Sequence, residues 1–368
     1  MKKIGFVLRG TASVRSADRE DEEAEEMRNM IYGAGSLGTI LGALLAEQGV
    51  DVTLVSRNRD HVRALQEKGA TVSGSMSKTV KVSACLPEEI EGTFDRIFIM
   101  TKQLDNPGIA RFLKPHLAEG GVFCCLQNGI PELALKGVVE DGEILGGVIP
   151  WSATWKGPGE SELTSPADSV RFVIGSPFAE NADALARTAQ VLAKAGKVEV
   201  DDDLLSMRWS KLLVNASISA LASSMGQPCG GVTHDPAVQR LGLRVMKECI
   251  DVGRAQGVKF RSVNDYDIAG ELYFTDEESL HAAQAKMPAA FDSIRGAVSS
   301  VLQDLRKGKA TEVQAISGIV CRSGRALGIP TPFNDRVVSV IEAIGRGDLP
   351  CGPENLEAYR DLMDLSIF

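Results

Sequence analysis

The sequence predicts an α/β unit followed by an all-helical one, on three observations. Short apolar runs alternate with helical periods as far as Val200; an acidic break, Asp201-Asp202-Asp203, follows; and from Leu204 onward nearly every segment has helical period. A chain of 368 residues exceeds the usual single domain. We therefore expect an α/β domain over 27–200 and a helical domain over 201–368.

Taken in order, Met30-Ile31-Tyr32 is a short strand-like run, and Thr39 to Ala46 is an apolar helix. Between them stands Gly33-Ala34-Gly35-Ser36-Leu37-Gly38. The first glycine allows a tight turn, the second lets a phosphate approach the backbone, and the third lets the helix pack on its strand. The helix start adds unpaired N–H groups and a positive dipole end. Strand, turn and helix in this order point to a dinucleotide pyrophosphate and a Rossmann-type, doubly wound parallel sheet. Asp51 to Ser56 reads as the second strand, His61 to Lys68 as a helix, and Ala70 to Val82 as a small hairpin. Arg96 to Met100 and Gly121 to Leu126 are continuous apolar runs, the mark of buried parallel strands. Shorter strands are expected at Ser161–Thr164, Val170–Ile174 and Lys197–Val200, with a helix over Ala182–Ala195.

The first 26 residues fit none of this: Arg15 to Glu26 is a dense charge run without apolar period. We expect residues 1–26 to be disordered or outside the fold, with Met27 as the functional start; the competing reading is an extra strand at Met1 to Leu8.

Composition narrows the function. Hydrophobic residues make up 44% and charged residues 24%, as in ordinary globular proteins, and the formal net charge of −9 argues against a nucleic-acid surface. Seven scattered cysteines without a CxxC pair read as buried free thiols in a reducing compartment. Four histidines show no metal spacing, and no run suits a membrane span or signal peptide. The expectation is a cytoplasmic protein without a metal, a nucleic-acid partner or membrane contact.

The end of the second strand discriminates between dinucleotides. An acid there would accept from an adenosine ribose; this chain has Ser56-Arg57-Asn58-Arg59 instead. Arginine there suits a 2′-phosphate, so the expected cofactor is NADP(H), against the reading that Arg57 and Arg59 are solvated surface charges.

The second signal is Trp209 to Ser219. Lys211, Asn215 and Ser219 lie four apart and would stack on one helix face, while Leu212, Leu213, Val214, Ala216 and Ile218 are apolar. A polar stripe on a largely buried helix is unfavourable unless something polar fills the space beside it, and a cleft holding a polar substrate does so. The competing reading is a stripe facing bulk solvent.

GAGSLG, Thr101-Lys102, Gln127-Asn128-Gly129, WSKLLVN, SSVLQDLRKGKATE and GIPTPFN, in this order from 27 to about 345, resemble the ketopantoate (2-dehydropantoate) 2-reductase family. The resemblance implies NADPH-dependent reduction of a 2-oxo acid to a 2-hydroxy acid, in pantothenate biosynthesis. It implies that Lys211 is the general acid, that Asn215 contacts substrate one turn on, and that Glu312 lies close to lysine, substrate and nicotinamide ribose. Ser300 would hold the substrate carboxylate. Arg57, Lys102 and Asn128 would contact the cofactor, Asn128 also meeting the substrate; Asp304 is a weaker candidate. For Glu312 the bland alternative is a surface acid at a helix start.

Well-studied members carry asparagine where this chain has Ser219, Cys229 and Ala297, which leaves the particular 2-oxo acid open. Two further readings stay open: an NADP-dependent reductase of the same fold with another carbonyl substrate, such as a glycerol-3-phosphate or opine type, and a non-catalytic NADP-sensing protein. A homodimer is one assembly that symmetry priors allow.

Overall fold

A computed structural model describes residues 27–263 and 266–363; the expectation for residues 1–26 lies outside the described residues. The first half holds β1 (Asn29–Tyr32), α1 (Ser36–Glu47), β2 (Val52–Val55), α2 (Arg59–Lys68), β3 (Ala70–Gly74), β4 (Lys78–Val80), β5 (Ser83–Cys85) and β6 (Phe94–Ile99). It continues through α3 (Asn106–Leu113), β7 (Leu117–Cys125), α4 (Glu132–Leu135), β8 (Ile144–Val148), β9 (Ala153–Gly157), β10 (Glu160–Leu163), β11 (Arg171–Gly175), α5 (Ala182–Ala193) and β12 (Lys197–Val200). After α6 (Leu204–Val214) the described residues are helical or irregular, apart from one isolated bridge between Val263 and Tyr266.

Eight strands form one sheet in the order β12-β11-β8-β7-β6-β1-β2-β5. The run from β8 to β5 is parallel, in keeping with the apolar runs of β1, β6 and β7, which are covered on both faces. Their core residues Ile31, Phe98 and Cys124 face one side, Met30, Ile97 and Phe123 the other. The buried polar residues Asn29 of β1 and Arg96 of β6 bond each other (2.7 Å). The chain leaves β1 for β2 on one side and β6 lies on the other, so the strand order reverses at β1, and the crevice at its carboxyl end is where such sheets take ligands.

The expected doubly wound parallel sheet is present, with two additions. β11 runs antiparallel to β8. The hairpin β3–β4 does not stand alone either: β10 joins β3 in parallel and β9 pairs antiparallel to β10, giving a second sheet of four strands. That sheet packs against α1, which buries the apolar faces of β3 and β10 (Ala70, Val72, Leu163).

In the second half the long helix Pro236–Ala255 packs against α6, the segment after it, and the helices Glu277–Ala290, Ser317–Leu327 and Pro332–Arg346. One apolar cluster from Trp209 to Leu362 fills the space between them. Among the described residues no helix is long and apolar enough to cross a membrane. The expectation of uniformly buried thiols fails at Cys351, which is exposed in the irregular stretch before the Pro353–Tyr359 turn, and Cys85 is half-buried at the sheet edge; the other five are buried and all seven are free.

Candidate active site

Gly33 has φ of +113°, and a side-chain carbon there would stand 2.5 Å from the Thr101 amide nitrogen at the end of β6. Only glycine fits, and its close approach brings the turn against Thr101-Lys102. The Gly33 and Ala34 amides both donate to the Val55 carbonyl (3.0 and 2.9 Å), which places the turn beside the end of β2. Gly38 is enclosed by the Gly33 carbonyl and Ile31, whereas Gly35 is exposed with open space where a side chain would be. No side chain caps α1. The first-turn amides and dipole of α1 therefore face an open position that suits a pyrophosphate, with Ser36 and Leu37 half-buried at its edge.

Arg57 is exposed just beyond β2, close enough that its charge lowers the Tyr32 hydroxyl pKa against the larger effect of burial, which raises it. Arg59 pairs with Glu88 at 2.6 Å, both largely exposed, so the two arginines do not form one free fork.

A second group of expected residues is drawn together by Gln103. Its amide donates to Glu312 Oε1 (2.9 Å) and its side-chain amide to the Asn128 carbonyl. Lys102 pairs with Asp304, which is 6% exposed, on the helix Ser300–Arg306. Glu312 is buried, not the surface acid of the bland reading. Burial pushes its carboxyl pKa up; the Gln103 amide and the Lys102 ammonium oppose the rise and Asp304 adds to it. Gly129, with φ of +72°, packs directly on the Ala315 carbonyl, so the Gln127-Asn128-Gly129 turn of the first half meets the Glu312 segment of the second.

Lys211 lies on α6, capped at its start by Asp203, whose carboxylate accepts from the Ser206 amide (3.2 Å). The lysine is half-buried and donates to the Ile149 carbonyl just past β8 (2.7 Å). Enclosure of its ammonium, and then the charge of Arg208, lower its pKa to about 8. Its hydrogen bond is to this strand end, whereas that of Glu312 is to Gln103; among the described residues no hydrogen bond or ion pair joins Lys211 and Glu312.

The stripe survives with altered geometry. Lys211, Asn215 and Ser219 are half-buried, and Leu212, Leu213, Ala216 and Ile218 are buried; Val214 is half-buried and so belongs to the accessible face. Asn215–Ala220 is a π-helix, so the residues do not continue the i, i+4 stacking of an ideal α-helix. Ser219 Oγ is 4.0 Å from Cys229 Sγ, and the Cys229 amide donates to the Ala297 carbonyl (3.0 Å). The three positions that depart from the family pattern thus form one wall. Ser300 is exposed at the start of its helix, which Ser299 caps through the Leu302 amide (3.0 Å) while bonding Ser223 Oγ (2.6 Å).

Sequence reasoning missed Gln103, Glu132 and Arg208. Arg208 carried a usable signal, since it stands one turn before Lys211 among apolar neighbours.

Both halves of the chain match known proteins. A family model described as Ketopantoate reductase PanE/ApbA matches residues 30–176, and one described as Ketopantoate reductase PanE/ApbA C terminal matches 203–345. A 2-dehydropantoate 2-reductase of Archaeoglobus fulgidus is 28% identical over 324 residues, covering 87% of this chain and 98% of its own length. One from Streptococcus pyogenes is 26% identical over 316 residues, covering 85% and 96%. The crystal structure of a PanE/ApbA family ketopantoate reductase from Ralstonia eutropha superposes with a TM-score of 0.73 at 28% identity, covering 87% of this chain and 99% of that one. A D-mandelate dehydrogenase described with NADH and anilino(oxo)acetate shares the fold, at 22% identity and a TM-score of 0.74 over 87% and 99%. With both halves matched in order, the chain belongs to the ketopantoate reductase PanE/ApbA family.

Proposed function

We propose that the protein reduces a 2-oxo acid to the 2-hydroxy acid with NADPH, with 2-dehydropantoate as the substrate, residues 27–200 holding the cofactor and 201–368 supplying most of the substrate site. The observation that carries this reading is Lys211: an enclosed ammonium on an accessible polar face of an otherwise buried helix, with a pKa of about 8. A general acid works best when its pKa lies near the operating pH, and at pH 7 such a lysine is about nine-tenths protonated.

The cofactor fits what the chain offers: open space at Gly35, an uncapped α1, and Arg57 beyond β2 for a 2′-phosphate. When bound it supplies the hydride. Lys211 stabilises the negative charge that grows on the substrate's ketone oxygen and then gives that oxygen a proton. The Ile149 carbonyl fixes the direction of the ammonium. Asn215 and Asn128 orient the substrate, Ser300 donates to its carboxylate, and Glu312, held by the Gln103 amide, accepts from ribose and substrate hydroxyls. Ser219, Cys229 and Ala297 line the far end, where no amide grips a hydroxyl, and this favours a second reading: the same reaction on a 2-oxo acid with a less polar tail.

The test follows absorbance of NADPH and NADH against a panel of 2-oxo acids that includes ketopantoate. Turnover of ketopantoate with NADPH is expected, and Lys211→Ala should lower kcat on the order of a hundredfold or more. Activity on another acid alone selects the second reading; unchanged turnover in Lys211→Ala rejects the lysine as acid.

A further inference from the structure

Arg208 and Glu132 are the most deeply buried opposite charges of the described residues, at 2% and 0% side-chain exposure, and the reaction as derived uses neither. Burying such a pair costs several kcal/mol per ion before attraction offsets it, so its place in the fold asks for a reason. The guanidinium reaches three segments at once. Its Nε and Nη2 donate to Glu132 Oε1 at the start of α4, the former at 3.1 Å. Nη2 also donates to the Cys125 carbonyl at the end of β7 (2.7 Å), and Nη1 to the Gln127 carbonyl (2.6 Å). Gln127 directly precedes Asn128, and its own side chain is locked to the Thr101 carbonyl (2.9 Å) and to Asn106 (2.9 Å). Arg208 is three residues before Lys211, hence its neighbour on the helix surface.

We propose that the Arg208–Glu132 pair is a positioning device that ties the Lys211 helix to the Asn128 turn and sets the charge environment in which Lys211 holds its proton. This rests on the reading of Lys211 as the acid. Arg208 faces Lys211 from its own helix, and Glu132 balances that charge from α4. Among the other elements packed on α6, β8 has no ionisable residue and offers the Ile149 carbonyl, and Arg171 of β11 is exposed. The segment after the long helix bonds Ser206 and Ser210 through the Lys259 and Arg261 amides, and the Arg261 guanidinium is paired with Asp201 and Asp202. On the long helix, Glu248 is bonded to the Phe333 and Asn334 amides, and Asp251 to Lys247 and Tyr273. Glu312 turns to Gln103. Arg208 also contributes directly to the lowered Lys211 pKa.

The two parts of the role separate by mutation. Glu132→Gln keeps the shape of the side chain but leaves Arg208 unbalanced, so the Lys211 pKa should fall by about 0.5–1 unit. Arg208→Gln removes the positive charge and should move it up. Arg208→Lys keeps the charge but not the planar fork, so the pKa stays while KM for the 2-oxo acid rises severalfold. Two readouts are taken on the intact protein: the pH dependence of kcat, and competitive acetylation of Lys211 by acetic anhydride across pH, quantified by mass spectrometry. Opposite shifts in Glu132→Gln and Arg208→Gln support the proposal, since a purely structural pair would lower activity without moving the lysine in either direction. An unmoved Lys211 labelling curve in whichever of the two variants folds, or wild-type KM and kcat in Arg208→Lys, overturns it. Labelling shifts without matching shifts in rate leave the pair in place and remove Lys211 as the acid.

Discussion

Gly35 offers a way to separate cofactor binding from folding. Its backbone is extended, with φ of −85° and ψ of −152°, which any L residue adopts, and no atom lies within 4 Å of where a side-chain carbon would stand. Gly35→Val should therefore leave the fold within about 1 kcal/mol of wild type, the loss of chain freedom in the unfolded state working in its favour. The new side chain would nevertheless occupy the space between the α1 amides and a pyrophosphate. A hydrogen bond to a charged group contributes about 1.5–3 kcal/mol, so forfeiting one weakens binding by roughly 10–150-fold. Gly38→Ala is the contrast: its methyl group would meet the Gly33 carbonyl and the Ile31 side chain, so it should lower the melting temperature as well. NADPH affinity is read by quenching of protein fluorescence or by calorimetry, and stability by thermal melts without cofactor. Gly35→Val with native melting and native NADPH affinity would refute the placement of the pyrophosphate on α1.

Other outcomes follow from the same geometry. Reduction requires the ammonium form of Lys211, so kcat should fall about tenfold per pH unit above its pKa of about 8, while oxidation of the 2-hydroxy acid, which needs the free amine, gains; initial rates from pH 6 to 10 decide, and a flat profile contradicts the role. Arg57→Ala should raise KM for NADPH roughly tenfold and leave NADH unchanged; equal loss for both rejects contact with the 2′-phosphate. Buried His61 accepts from the Gly159 amide through Nδ1 (2.9 Å) and meets Thr39 Oγ1 through Nε2 (3.2 Å), and burial lowers its pKa below the usual 6.5. The unfolded chain then takes up a proton that the folded one refuses. Stability from this histidine is thus complete above pH about 6.5 and declines as pH falls toward the depressed value, a slope that urea denaturation should show in wild type and not in His61→Gln. Gly129→Ala should cost about 1 kcal/mol or more of stability and most of the activity, because φ of +72° and the Ala315 carbonyl both exclude a methyl group.

The parts of the molecule legible in the sequence were those written in local pattern. GAGSLG between a strand and a helix, the continuous apolar runs of β1, β6 and β7, and the acidic cap before α6 each depend on neighbours a few residues apart. The second sheet was not legible, because β3 and β10 are almost ninety positions apart and each is too short to announce a partner. The antiparallel β11 was hidden for a similar reason: Arg171–Gly175 reads the same in either direction. The stripe of Lys211, Asn215 and Ser219 was found from spacing, yet the π segment beneath it leaves no mark in composition. Asp304 and Glu312 could be placed only by resemblance, since pairing with Lys102 and Gln103 is set by how the two halves dock. Arg208 was marked only by its apolar neighbours one turn before Lys211, and its interior partners, carbonyls at the end of a distant strand, left no local trace.

The widened turn at Asn215–Ala220 carries one residue more than an α-helix would need to cover the same path. Losing a single residue there would restore ordinary i, i+4 bonding while the helix on either side kept its facing, because the extra residue is what the wider turn absorbs. Lys211 would keep its place, and the change would fall on the accessible face between Asn215 and Ser219. In this scaffold, then, the outline of the pocket wall can be altered by a length change within one helix while the acid stays where it is.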